Sequence, residues 1–184
     1  MIIGIHGKAQ SGKDTLGDLI YRKSEETGKK VVLLSFAEPV KQLLMTMYGL
    51  TWADLHTEDG KRSCPPQLGG VSVRDMLISL GQGLRALLGY GVWVQTLLSK
   101  ARAQEKDTIC VVTDIRDALE YSALEAEGAI MIKLLREIPS SASGKRMEYT
   151  LSDRCFDHVM DNREMGRDEF LSASTTLINE ILPK

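Results

Sequence analysis

The sequence is poor in cysteine, nearly neutral in charge and free of long apolar runs. Each shortage excludes something. Cys64, Cys110 and Cys155 are odd in number and far apart. They lack metal-ligand spacing and point to a reducing compartment such as the cytoplasm. Cys110 lies in an apolar stretch and reads as a small buried hydrophobe. A formal net charge of −2 offers no global attraction to nucleic acid or to an anionic membrane. No apolar run approaches the ~20 residues of a membrane span. The first apolar stretch has no charged leader, so it is not expected to be a signal peptide. His6, His56 and His158 form no metal pattern and read as structural histidines. No internal repeat or low-complexity block occurs. The 184 residues suit one α/β domain, and a chain of that size buries roughly 70% of its unfolded surface.

What is present begins at the first residues. An apolar run, Ile2 to Ile5, leads into Gly7-Lys8-Ala9-Gln10-Ser11-Gly12-Lys13, and an amphipathic stretch opens near Asp14. Strand, Gly-x-x-x-x-Gly-Lys, then helix is the layout of a phosphate-binding P-loop. Gly7 and Gly12 let the backbone turn tightly and approach a polyphosphate. The N–H groups of Gln10, Ser11 and their neighbours would then face the anion at a helix N-terminus. Lys13 adds a mobile positive charge for the β- and γ-phosphates. Where such loops usually carry Ser or Thr for Mg²⁺, this one has Asp14, followed by Thr15. Asp14 either meets the metal, directly or through water, or caps the helix. Thr15 is the other candidate metal ligand.

Further along, Val31 to Phe36, Thr108 to Thr113 and Ala129 to Leu135 are continuous apolar runs, as expected of strands buried on both faces of a parallel sheet. Phe156 to Met160 reads as a fifth strand. Leu16, Leu19 and Ile20 recur at helical spacing between the first two strands, making a right-handed βαβ unit. Beyond the second strand, Pro39 suits a first helical turn. Lys41 would lie near that end, either touching a substrate phosphate or simply solvated. Residues 48–72, rich in Gly and Pro, read as an irregular insert. Val73 to Leu88 reads as a helix on which Arg74 and Arg85 point the same way, with Gln82 off that line. Two guanidiniums on one face suit an anionic ligand, or else a salt-bridged surface.

The strand ending at Thr113 runs into Asp114-Ile115-Arg116-Asp117. A carboxylate there resembles a Walker B element holding the Mg²⁺ shell or substrate; the alternative is a helix cap. After the next strand comes Arg136, then a small, polar segment with basic residues on both sides, ending near Arg146. It is expected either to close over phosphates or to be a surface loop. The last helix is expected over about Arg167 to Leu182. An apolar face on the helices of the 73–105 region is expected to be core, with a homodimer contact as the alternative.

Taken together, these stretches resemble the bacteriophage deoxynucleoside monophosphate kinases, a branch of the P-loop nucleoside monophosphate kinases. The resemblance is carried by Ser11-Gly12-Lys13-Asp14-Thr15, Ser35-Phe36-Ala37 with Lys41, and the Arg74 helix. It continues through Gly81-Gln82-Gly83-Leu84-Arg85, Val92-Trp93-Val94, Thr113-Asp114-Ile115-Arg116, Arg136 and Asp161-Asn162. It implies an α/β fold of three layers, a five-stranded parallel sheet flanked by helices, in one domain spanning 1–184. It further implies a helical acceptor-binding region at 37–95 and a lid at 136–152. The implied reaction is ATP- and Mg²⁺-dependent phosphorylation of dNMPs to dNDPs. Phe36, Lys41, Arg74, Gln82, Arg85, Trp93, Asp114 and Arg116 become acceptor-side candidates. Arg136 joins Lys13, Arg85 and Arg116 as a catalytic candidate, and Asn162 would lie near the donor adenine. Departures from the family pattern occur at Asp117-Ala118-Leu119-Glu120 and Ser152-Asp153. A kinase of another phosphorylated metabolite, similar to dephospho-coenzyme A kinase, and a slowly hydrolysing nucleotide switch are the competing readings.

Overall fold

The computed structural model describes residues 1–136, 151 and 156–182. It divides into a sheet unit, Met1–Ser35 with Leu97–Lys184, and a helical unit, Phe36–Thr96. The segment expected to act as a lid lies outside the described residues except for Arg136 and Leu151, and Arg146, Ser152, Asp153 and Cys155 fall outside with it.

The sheet unit holds five strands, β1 (Ile2–Gly7), β2 (Val31–Leu34), β3 (Ile109–Ile115), β4 (Ile130–Leu135) and β5 (His158–Asp161). Their order is β2-β3-β1-β4-β5, and every neighbouring pair is parallel. Parallel pairing buries both faces, which is why these strands read as unbroken apolar runs rather than alternating ones. Ile3 and Ile5 are fully buried among Leu16 and Ile20 of helix α1 (Lys13–Glu26) and Phe170, Leu177 and Ile178 of helix α8 (Arg167–Ile181). On the opposite side of β1, the His6 ring stacks on Phe156 at 5.6 Å, and Phe156 meets Tyr121 of α7 (Ala118–Ala126) edge-on at 5.2 Å. Helices therefore flank the sheet, giving the three-layer α/β architecture expected from the strand pattern.

The cap of α7 settles one alternative. Asp117 accepts from the Glu120 N–H, and the buried Glu120 carboxylate accepts in return from the N–H groups of Arg116 and Asp117. This reciprocal box satisfies the helix's orphan donors. Asp114 is therefore not the cap; it lies inside β3.

The helical unit contains α2 (Glu38–Tyr48), α3 (Trp52–His56), α4 (Glu58–Arg62), a 3₁₀ turn (Pro66–Leu68) and α5 (Val73–Leu88). Pro39 stands in the first turn of α2, as expected. Helix α6 (Val92–Arg102) begins in this unit and ends in the sheet unit. The stretch expected to be irregular holds two short helices because it carries two caps. The Thr51 hydroxyl accepts from the Asp54 N–H while Asp54 accepts from the Thr51 N–H, and the Thr57 hydroxyl accepts from the Gly60 N–H. Leu44, Leu50, Leu55, Leu68 and Val73 form this unit's own buried cluster, with Met76, Leu77 and Leu80 packed against it.

Candidate functional site

Helix α1 begins at the head of the loop without a side-chain cap. Its N-cap is Gly12, with φ of 99°, a left-handed conformation that glycine adopts without strain. A Cβ on Gly12 would stand 2.7 Å from the Phe170 ring, and one on Gly7 would stand 2.5 Å from the Ser11 hydroxyl. Both glycines are thus required by shape. The Ser11 N–H donates to the Lys8 carbonyl at 3.1 Å, and Gln10 takes a positive φ of 60° beside it, exposed. The Lys13 ammonium curls back to donate to the same Lys8 carbonyl at 2.6 Å.

Asp14 lies in the first turn of α1 and makes no cap. Its Oδ1 accepts from the Thr113 hydroxyl at 3.1 Å, which ties the helix start to the end of β3. Next to it in sequence, Asp114 accepts from the Ser35 hydroxyl at 2.6 Å through Oδ2. Two carboxylates are thus oriented by neutral hydroxyls at the carboxyl ends of β2 and β3, the edge where open α/β sheets bind ligands. Thr15, Arg116 and Arg136 are exposed. Asn162 is buried, and its Nδ2 donates to the Ser11 carbonyl at 2.8 Å. Arg163 grips Asp161 next to it, and this pairing holds the Asp161 carboxyl down at about 2.

The helical unit carries the other predicted residues. Lys41 lies 3.8 Å from Glu38 and 3.4 Å from His56 Nδ1. Arg74 donates to Glu58 at 2.6 Å, and Lys61 lies 3.7 Å from the same residue. Burial, then the positive charges of Lys41 and Lys61, hold the His56 imidazole below its ordinary range, while Glu38 opposes them. Trp93 is buried and its indole N–H donates to the Gly81 carbonyl at 3.2 Å; Phe36 is buried too. Arg85 is half-buried and Gln82 exposed.

The sequence alone does not single out Thr113, Ser35, Glu38, Glu58 or His56 as site residues. For Ser35 a signal existed: β2 pairs with β3 so that Leu34 stands beside Val112. The next residues along each strand are then Ser35 on one side and Thr113-Asp114 on the other. The ion pairs of the helical unit had no such signal, because Glu58 and Arg74 sit on separate helices.

A depression of about 620 Å³ lies at the amino ends of β4 and β5, lined by Glu125, Asp157, Glu180, His158 and Tyr121 among others. It is at the wrong end of the strands and carries the wrong charge for a phosphate. Among the described residues no three His, Cys, Asp or Glu side chains gather as a preformed metal site, and no helix is long and apolar enough to cross a membrane.

A scan of protein-family models finds no match for the chain, and a search of curated proteins finds none. Solved structures to which the chain is similar include a mutant of the Mycobacterium tuberculosis APS kinase, at 16% identity and a TM-score of 0.43, covering 97% of this chain and 96% of that one. A likeness that distant bears on neither activity nor substrate.

Proposed function

We propose that the chain is a P-loop phosphotransferase that moves the terminal phosphoryl group of ATP to a deoxynucleoside monophosphate, giving a dNDP. The observation that carries the reading is the loop itself: a glycine-framed turn between β1 and α1, left-handed at Gly12, with Lys13 at its edge. Two hydroxyl-held carboxylates, Asp14 in the first turn of α1 and Asp114 near the end of β3, support it.

The donor set suits Mg²⁺. Asp14, Asp114 and the Thr15 hydroxyl are hard oxygen ligands, and Mg²⁺ in phosphoryl-transfer sites is bound by one or two carboxylates plus substrate phosphates and waters. When bound, the metal would neutralise charge developing on the phosphate oxygens. The chain's own groups do the rest. Loop N–H groups and Lys13 hold the donor phosphates. Arg85 and Arg116 are assigned to the acceptor phosphate, with Lys41, Arg74, Gln82, Phe36 and Trp93 shaping acceptor recognition. Arg136 stabilises charge in transit. No general base is needed, because the attacking oxygen is already a phosphate anion. Catalysis of this kind is positioning and electrostatics.

The test is an acceptor panel. The protein is mixed with ATP, Mg²⁺ and each dNMP and NMP in turn, and products are separated by anion exchange. Diphosphates from one or more dNMPs are expected. Transfer only to some other phosphorylated metabolite would replace the acceptor assignment, and ATP binding without transfer would favour a nucleotide switch.

A further inference from the structure

Asn162 follows β5 directly, and its place is set by the sheet. Its backbone N–H donates to the Leu135 carbonyl at 2.9 Å, continuing the pairing of β5 with β4. Only 1% of the residue is exposed. Its side-chain Nδ2 reaches across to the Ser11 carbonyl at 2.8 Å. The amide can face only one way there, since a carbonyl needs a donor. Its Oδ1, and the Ser11 hydroxyl, are buried without a hydrogen-bond partner among the described residues.

The peptide plane supplies the connection. In a trans peptide the C=O of one residue and the N–H of the next point in opposite directions. Holding the Ser11 carbonyl toward Asn162 therefore turns the Gly12 N–H away from Asn162. A carbonyl swung the other way would set its negative end against a phosphate. Phe170 blocks any larger residue at Gly12, and the Ser11 hydroxyl packs where a Cβ on Gly7 would be. The loop is thus fixed from β5 and α8 below it.

We propose that Asn162 is a positioning residue of the phosphate-binding loop. It holds the Ser11 carbonyl so that the Gly12 N–H is aimed at a polyphosphate, whatever base the nucleotide carries. This rests on the reading that the loop binds polyphosphate. It differs from the role implied by resemblance, in which Asn162 lies near the adenine.

Calorimetric titration of the full chain with Mg-ATP and with Mg-tripolyphosphate, which has no base, separates the two roles. Asn162→Ala is expected to weaken both ligands by the same factor, roughly tenfold, as loss of one well-aimed hydrogen bond to an anion would. Asn162→Leu, of similar volume but with neither a donor nor an unpaired buried oxygen, guards against a folding failure and is expected to weaken both as much. The ratio of ATP to GTP affinity stays unchanged in each variant. Weakening confined to ATP, with tripolyphosphate unaffected, overturns the proposal in favour of a base contact. A destabilised variant whose folded fraction binds tripolyphosphate normally also overturns it, leaving a structural role only. Absence of tripolyphosphate and ATP binding by the unaltered chain overturns the loop reading itself, and the inference with it.

Discussion

In the sheet unit two carboxylates accept from neutral hydroxyls, Asp14 at the start of α1 from Thr113 and Asp114 near the end of β3 from Ser35. In the helical unit the cations are held by carboxylates, Lys41 by Glu38 and Arg74 by Glu58. The contrast has consequences. A hydroxyl orients a carboxylate without bringing a countercharge. A guanidinium paired with a carboxylate is already neutralised, and a ligand must displace the partner. Such displacement is easy, because partly exposed pairs of this kind are worth only about 0.2–1 kcal/mol. On the proposed reading, the donor side would be built in advance, while the acceptor side would exchange partners when it binds.

If that division holds, the two units respond differently to substitution. The largest effect is expected at the loop. Lys13→Ala should lower turnover with every acceptor by about 10²–10³, as the loss of a transition-state contact does, with the thermal midpoint little changed. Steady-state kinetics beside a melting curve would show both. A core change in the helical unit should behave in the opposite way. Leu55 is fully buried there, and Leu55→Ala is expected to cost about 2–5 kcal/mol of stability. Denaturant titration reads that loss, and ATP affinity of the folded protein should persist. Arg85→Ala should raise the acceptor KM about tenfold or more while leaving the ATP KM near its starting value, in keeping with the weight of a charged hydrogen bond. An equal rise in both constants would erase the proposed division.

The smallest effect expected is one of pH. His56 is held below its ordinary value of 6.5 by burial and by Lys41 and Lys61. A base whose folded pKa is depressed takes up protons more readily when unfolded, so its contribution to stability is complete above the unfolded value and is lost as pH falls below it. Thermal melts should therefore decline modestly as pH drops below 6.5, and His56→Gln should flatten that decline. A decline of the same size in the variant would assign it elsewhere.

Much of the sheet unit was legible because its signals are local. Buried parallel strands are continuous apolar runs, and the loop is seven consecutive residues. The helical unit was less so. Its short α3 and α4 were hidden by Gly60, Pro65 and Pro66, although Thr51 with Asp54 and Thr57 are recognisable caps. Side-chain pairing was the least legible. Thr113 on Asp14 spans 99 residues and Asn162 on Ser11 spans 151. Which polar group meets which is decided by the packing of the sheet edge, not by spacing along the chain. The same holds for Trp93, whose buried indole N–H is committed to Gly81.

The most direct test of the phosphotransfer reading is a phosphorus balance followed by ³¹P NMR with ATP, Mg²⁺ and a dNMP that the acceptor panel shows to be active. One dNDP should appear for each ATP consumed, and ATP should persist when the acceptor is left out. Release of inorganic phosphate at the same rate with and without the dNMP would contradict the reading.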